Sequence, residues 1–160
     1  MSSTIKQIFG AQVTKYILGN NITTIGDYAF FNCSSIASVT IGNSVTSIGD
    51  NAFERCYGLT SITIPNSVTT IGRSAFGNCH GLTSVSIGNS VTSIGQTAFD
   101  GCTNISSITC NATTAPTIYN QTFYVKKNGI LYVPVGSTGY NVWMDTDSYY
   151  LGWHNWTKVE

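Results

Sequence analysis

The groups in this 160-residue chain that are able to do chemistry are few, and their spacing argues against a reaction centre. His80 and His154 are its two histidines, and neither has a Cys or Glu beside it at metal-ligand spacing. Asp145-Thr146-Asp147 has the alternation of a calcium loop but lacks the Gly and the distal Glu that such a loop needs. The sequence contains no glycine-rich phosphate loop, nucleophile elbow or evident carboxylate pair. The expectation is a protein that is not an enzyme, with no catalytic residue, no cofactor and no metal site.

The five cysteines have a different logic. Cys33, Cys56, Cys79 and Cys102 fall 23 residues apart, and Cys110 stands where Ile41, Ile64 and Ile87 stand in other copies of the same phrase. Stacked coils would hold successive Cys side chains parallel at about 4.8 Å, wider than the Cβ separation of about 3.5–4.5 Å that a disulfide prefers. The cysteines therefore read as small buried apolar residues.

That interval of 23 governs the chain. The phrase VTSIGDNAFERCYGLTSITIPNS, residues 45–67, is written four times without a gap, starting at Ile22, Val45, Val68 and Val91. A fixed period of this length marks a solenoid in which each repeat is one coil and like residues lie over like. Phe30, Phe53, Phe76 and Phe99 should then form a continuous inner column.

Within a coil, Leu59-x-x-Ile62-x-Ile64 ends in strand alternation, with Ile62 and Ile64 inward and Ser61 and Thr63 outward. PNS or GNS makes the bend, and Val45 and Ile48 return to the core, with Gly49 expected to supply an unusual backbone angle. Ala52, Phe53 and Cys56 share one side of a single helical or 3-10 turn, and Asp27 and Asp50 stand at its N-cap position.

Three parts of one domain, 1–160, follow: a degenerate lead-in coil over 1–21, four repeats over 22–113, and a capping module over 114–160. In the first, Val13, Tyr16 and Leu18 face inward, and Ile8 and Phe9 help to close the end. In the last, Asn128-Gly129 carries a hairpin signal, and LYVP (131–134) resembles the strand ending SITIP, which would add a strand to the sheet. Ten of the 19 aromatic residues follow Thr113, among them Tyr140, Trp143, Tyr149, Tyr150, Trp153 and Trp156, either as a plug over the last coil or as a surface platform.

Composition narrows the function classes. Hydrophobic residues make up 42% and charged residues 9%, the reverse of a disordered chain. Seven Lys and Arg offset seven Asp and Glu, so no net field draws a polyanion, and nucleic acid is not expected as a partner. No apolar run is long enough to span a membrane, and MSSTIKQIFG lacks the apolar heart of a signal peptide, so an exported parent protein would carry its signal elsewhere.

The phrase SVTSIGxxAFxxCxxLTSITIPNS resembles the BspA-like, or treponemal-type, leucine-rich repeat of bacterial and protozoan surface proteins. The likeness covers residues 22–113, and the stretch from Leu131 through Tyr140 to Trp153 is similar to the closing module that often follows such repeats. The resemblance implies a right-handed leucine-rich repeat solenoid with a parallel β-sheet on one face, short 3-10 or helical turns on the other, and an aromatic C-terminal cap. It also implies a cell-surface or secreted adhesin that engages host extracellular-matrix or plasma proteins, or glycans. It carries over no catalytic or binding residue.

Candidate binding residues come from the coil geometry alone. The outward strand positions form two hydroxyl ladders, Ser38, Ser61, Ser84, Ser107 and Thr40, Thr63, Ser86, Thr109. Small hydroxyls can serve an extended peptide or a glycan at low entropic cost, and they are equally what an exposed strand tolerates. On the opposite side the repeats differ, and Tyr28, Phe31, Tyr57 and His80 would form an aromatic strip there. The competing expectation is a structural spacer or self-association unit, in which the edge around Tyr16, Ile17 and Leu18 stacks against another chain as a weak homo-oligomer.

Overall fold

The computed structural model describes residues 13–119, 121–124, 128–146 and 150–160. In chain order its strands are β1 (Lys15–Ile17), β2 (Thr24–Ile25), β3 (Ser38–Thr40), β4 (Ser47–Ile48), β5 (Ser61–Ile64), β6 (Thr70–Ile71), β7 (Ser84–Ile87), β8 (Ser93–Ile94), β9 (Ser107–Cys110), β10 (Ile130–Tyr132) and β11 (Thr157–Val159). The odd-numbered strands and β10 build one side of a parallel solenoid. β1 pairs with β3, while β5, β7, β9, β10 and β11 run in sequence through one ladder, and β3 lies against β5 between the two sheets. The register is in step with the 23-residue period: Ser61 pairs with Ser84 and Ser84 with Ser107, while Thr63 pairs with Ser86 and Ser86 with Thr109.

A second parallel sheet, in the order β2, β4, β6, β8, occupies the segment expected only to return to the core. Its cause is the Thr at the second position of each repeat. The amide and the hydroxyl of Thr46 both donate to the carbonyl of Thr23, at 2.8 and 3.1 Å, and Thr69 repeats this on Thr46. The Gly that follows is not there for an unusual angle, since neither Gly49 nor Gly72 has positive φ. It is there because coils meet closely: a Cβ on Gly72 would stand 2.5 Å from the carbonyl carbon of Gly49.

The Ala-Phe-x-x-Cys segment turns as expected but does not stay helical. The amides of Glu54 and Cys56 bond back three residues, to the carbonyls of Asn51 and Phe53 at 3.2 Å each, as in a 3-10 turn. Asn51 and Arg55, however, sit at φ 56° and 62°, in the left-handed region. That alternation frees the amides of Asn51, Phe53 and Arg55 to donate to the next coil, to Arg73, Ala75 and Gly77 at 2.7–2.9 Å. A third inter-coil ladder results, and Gly152–His154 is the one 3-10 helix among the described residues. Asp27 and Asp50 likewise cap the following coil and not their own: each Oδ1 accepts from the amide of Asp50 or Arg73, at 2.8 and 2.7 Å.

The core is a set of columns. Phe30, Phe53, Phe76 and Phe99 stack at 4.8–5.2 Å with rings parallel to within 7°, and Phe123 adds a fifth ring at 5.3 Å. Tyr16 closes one end edge-on at 5.3 Å, and Trp143 closes the other at 5.0 Å. The five cysteines are buried and in no disulfide, and Cys56, Cys79 and Cys102 donate their thiols to the carbonyls of Phe30, Phe53 and Phe76 at 3.0–3.2 Å.

Of the C-terminal aromatic residues, Tyr140, Trp143 and Trp156 are buried as a plug. Tyr140 donates to the Ala112 carbonyl at 2.8 Å and Trp143 Nε1 to that of Pro116 at 3.0 Å, with both rings buried. The hairpin expected at Asn128-Gly129 is not formed. β10 instead pairs in parallel with β9 and β11, the added strand that LYVP suggested, and Phe123 joins the inner column. Gly129 is small because Trp156 and the Ser106 carbonyl crowd it, each under 3 Å from a Cβ placed there. Ile8, Phe9, Tyr149 and the side chain of Trp153 lie outside the described residues.

Candidate binding surfaces

The strand side presents the two hydroxyl ladders to solvent. Ser38, Thr40, Ser61 and Thr63 are exposed and Ser84, Ser86, Ser107 and Thr109 are partly exposed, because inward Val and Ile of the same strands hold the alternation. Over the first coils this face forms an open depression of about 790 Å³, with Asn43, Pro65, Asn66 and Asn111 along its margin. These margin residues, which no sequence expectation singled out as binding residues, come from the GNS and PNS bends and, for Asn111, from the corresponding bend Asn111-Ala112-Thr113. Asn66 is fixed there by accepting from the amide of Asn89 at 2.9 Å, and Asn111 by donating to the Ile87 carbonyl at 3.0 Å.

Register carries the ladders into the cap. Ser107 pairs with Ile130 and Thr109 with Tyr132, two exposed side chains, and these pair in turn with Thr157 and Val159 of β11. The position of Tyr132 was legible in the likeness of LYVP to SITIP, which aligns it with Thr63.

On the turn side the expected aromatic strip divides into two groups. Tyr57 lies flat on His80, at 5.4 Å with planes 2° apart, and His80 is steadied by Nδ1 against the Gly101 carbonyl at 2.8 Å. Tyr28 and Phe31 meet edge-on at 5.6 Å, with the Arg55 guanidinium 5.8 Å over the Phe31 ring and beside Glu54. Part of the variation here answers to the backbone: Tyr28, Asn51, Ser74 and Thr97 share one repeat position and all have φ of 50–58°.

Among the described residues, no three His, Cys, Asp or Glu side chains gather as a metal site, and no helix is long and apolar enough to cross a membrane. His154 sits edge-on to Tyr124 at 5.6 Å, and burial pushes its pKa down. Burial also pushes the thiols of Cys56 and Cys110 up, away from the thiolate a nucleophile would need.

The comparisons agree with this architecture. A family model described as BspA type leucine rich repeat region matches residues 7–129 in six copies, so degenerate repeats flank the four regular ones. A leucine-rich repeat protein from Bacteroides ovatus is similar at 33% identity over 64% of this chain, with a TM-score of 0.60, although this chain covers only 26% of that one. The T. pallidum leucine rich repeat protein aligns over 81% of this chain and 66% of its own at 24% identity, with a TM-score of 0.64. A leucine-rich repeat protein from Eubacterium ventriosum aligns over 74% of this chain and 35% of its own at 20% identity, with a TM-score of 0.57. No curated protein sequence matches the chain.

Proposed function

The chain belongs to the BspA-type leucine-rich repeat family, and from that premise we propose that it is an adhesion module of a cell-surface or secreted protein, engaging host extracellular proteins or glycans through its strand face. Leucine-rich repeats are generally protein-binding modules, typically without enzymatic activity, and BspA-type members are generally surface-exposed or secreted. The observation that carries the proposal is the open strand-face depression, lined by hydroxyls and amides from successive coils. A rigid scaffold presenting many weak donors and acceptors suits recognition, because the side chains lose little entropy on binding.

The test is an array of extracellular-matrix proteins, plasma proteins and glycans probed with the whole chain. Saturable binding that weakens on changing Thr63 and Ser86, and not on changing Tyr57 and His80, is the expected result. Binding mapped to Tyr57 and His80 would move the site to the turn side, and no saturable binding would reject the proposal.

One observation favours a spacer or self-association unit instead. β11 is exposed at all three residues and forms an edge of its sheet, and Ile17 in β1 is 69% exposed. Unpaired strand edges recruit further strands. Light scattering decides: concentration-dependent oligomers with no ligand on the array would establish that second reading.

A further inference from the structure

The strand face differs from the rest of the coil in that its hydroxyls are unspent. Thr46, Thr69 and Thr92 each turn Oγ1 onto a carbonyl of the preceding coil at 3.1–3.2 Å, and Thr83 does the same on Thr60. Thr40, Thr63, Ser86 and Thr109 are not used in that way among the described residues, so both the donor and the acceptors of each hydroxyl remain for a ligand.

The surroundings fix the charge of that ligand. No Asp, Glu, Lys or Arg lines the depression, which takes in Thr40, Thr63 and Ser86 of that column, so an ionic partner would lose water over those coils without meeting a counter-charge. A neutral molecule rich in hydroxyls would meet matching groups on every coil. The column Thr63, Ser86, Thr109 then runs on to Tyr132, which is 41% exposed and is the first aromatic residue of the lane, with Val159 of β11 beyond it.

Resting on the strand-face reading above, we propose that this column is a lane for a neutral, linear, equatorially linked hexopyranose chain. The chain lies across the strands with one sugar over each of β3, β5, β7, β9 and β10, and its last ring rests on Tyr132. Spacing separates this ligand from an extended peptide. Strands repeat at about 4.8 Å across the sheet, whereas same-face side chains of an extended peptide repeat at about 6.6 Å, so a peptide laid over the coils falls out of step. Successive rings of an extended hexopyranose chain advance by close to one strand spacing. The apolar C–H face of a sugar also suits an aromatic ring that is apolar across its face and polar at its tip.

Isothermal titration calorimetry of the whole chain with cello-oligosaccharides, from disaccharide to hexasaccharide, tests the lane. Affinity should rise with each sugar and level off at the pentasaccharide. Tyr132→Ala should weaken binding about tenfold, the scale of one lost aromatic contact. Thr63→Val should weaken it several-fold, and Ser86→Gln should block the lane independently, with melting temperatures unchanged because all three side chains face outward. Affinity without length dependence, or indifferent to Tyr132→Ala and Thr63→Val, overturns the proposal. Preferential binding of a heparin hexasaccharide or a neutral extended peptide, lost in the same variants, also overturns it while leaving strand-face adhesion intact. Matrix-protein binding lost only in Tyr57→Ala and His80→Ala refutes both.

Discussion

The rings of Phe53 and Phe76 lie 5.1 Å apart and 2° from parallel, although 23 residues separate them in the chain. That pair is the repeat made physical: one sequence period is one coil, and coil spacing is set by the strand ladders on either side of the ring. The Phe column is therefore held at a separation that the backbone imposes, and each ring depends on the two beside it.

Removing a middle ring should cost more than any change on the strand face. Phe76 is fully buried between Phe53 and Phe99, so Phe76→Ala opens a cavity in the stack at a cost of about 3–5 kcal/mol. Ser84→Ala, on the partly exposed outer side, should change stability by no more than about 0.5 kcal/mol. Urea unfolding of the two variants checks this, and equal losses would contradict the assignment of faces.

Gly26 and Gly72, at one repeat position, differ in how closely the described residues approach them. A Cβ on Gly72 would stand 2.5 Å from the Gly49 carbonyl carbon and 2.6 Å from Asp50 Oδ1, whereas a Cβ on Gly26 meets nothing within 4 Å among the described residues. Gly72→Ala should therefore cost about 1–3 kcal/mol through overpacking. Gly26→Ala should be neutral or stabilise by up to about 1 kcal/mol, through the entropy it removes from the unfolded chain. Thermal unfolding of both variants separates this account from one based on backbone angle, which would penalise the two alike.

What was legible in the sequence was whatever repeats as a side chain. Phe30, Phe53, Phe76 and Phe99 were placed in their column, and Ser61 and Thr63 on the outside of a strand, because identity at a fixed interval and alternation within a strand both leave letters behind. Inter-coil backbone bonds leave none. The ladder from Asn51, Phe53 and Arg55 to the next coil was invisible, and so was its requirement for left-handed angles at Asn51 and Arg55, where an Asn and an Arg share no composition signal. The hairpin signal of Asn128-Gly129 misled because tertiary pairing with β9 decides that segment, and its Gly is needed for the approach of Trp156. The free hydroxyls of the strand face could not be told in advance from the bonded ones at Thr46 and Thr69, since the difference lies in what each side chain touches.

Alkaline pH should loosen the fold before it reaches the bulk of the tyrosines. Burial pushes the Cys56 thiol well above its ordinary value of 9.0, and Cys79 is raised by the neighbouring Cys102 thiol and by burial. A group raised in the folded state holds its proton there while the unfolded chain ionises. Stability is thus level below the ordinary thiol pKa and declines as pH rises past it, by at most about 1.4 kcal/mol per pH unit for each group. Urea midpoints across that range should fall less steeply in Cys79→Ala, and thiol reagents should label the native chain only as fast as it unfolds.

The last prediction concerns the C-terminal plug, where burial and hydrogen bonding can be separated. Tyr140 is buried and donates to the Ala112 carbonyl at 2.8 Å, and its ring stands edge-on to Trp143 at 5.2 Å. Tyr140→Phe keeps the ring contact and strands the carbonyl of Ala112, which should cost about 1–3 kcal/mol. Tyr140→Ala removes the packing as well, at about 3–5 kcal/mol. Because Trp143 is the last ring over Phe123, the damage should appear first at that end of the solenoid. Hydrogen exchange would then show faster opening of β10 and β11 than of β3 and β5 in both variants, whereas uniform loss of protection would mean that the coils unfold as a single unit and that the plug has no local role.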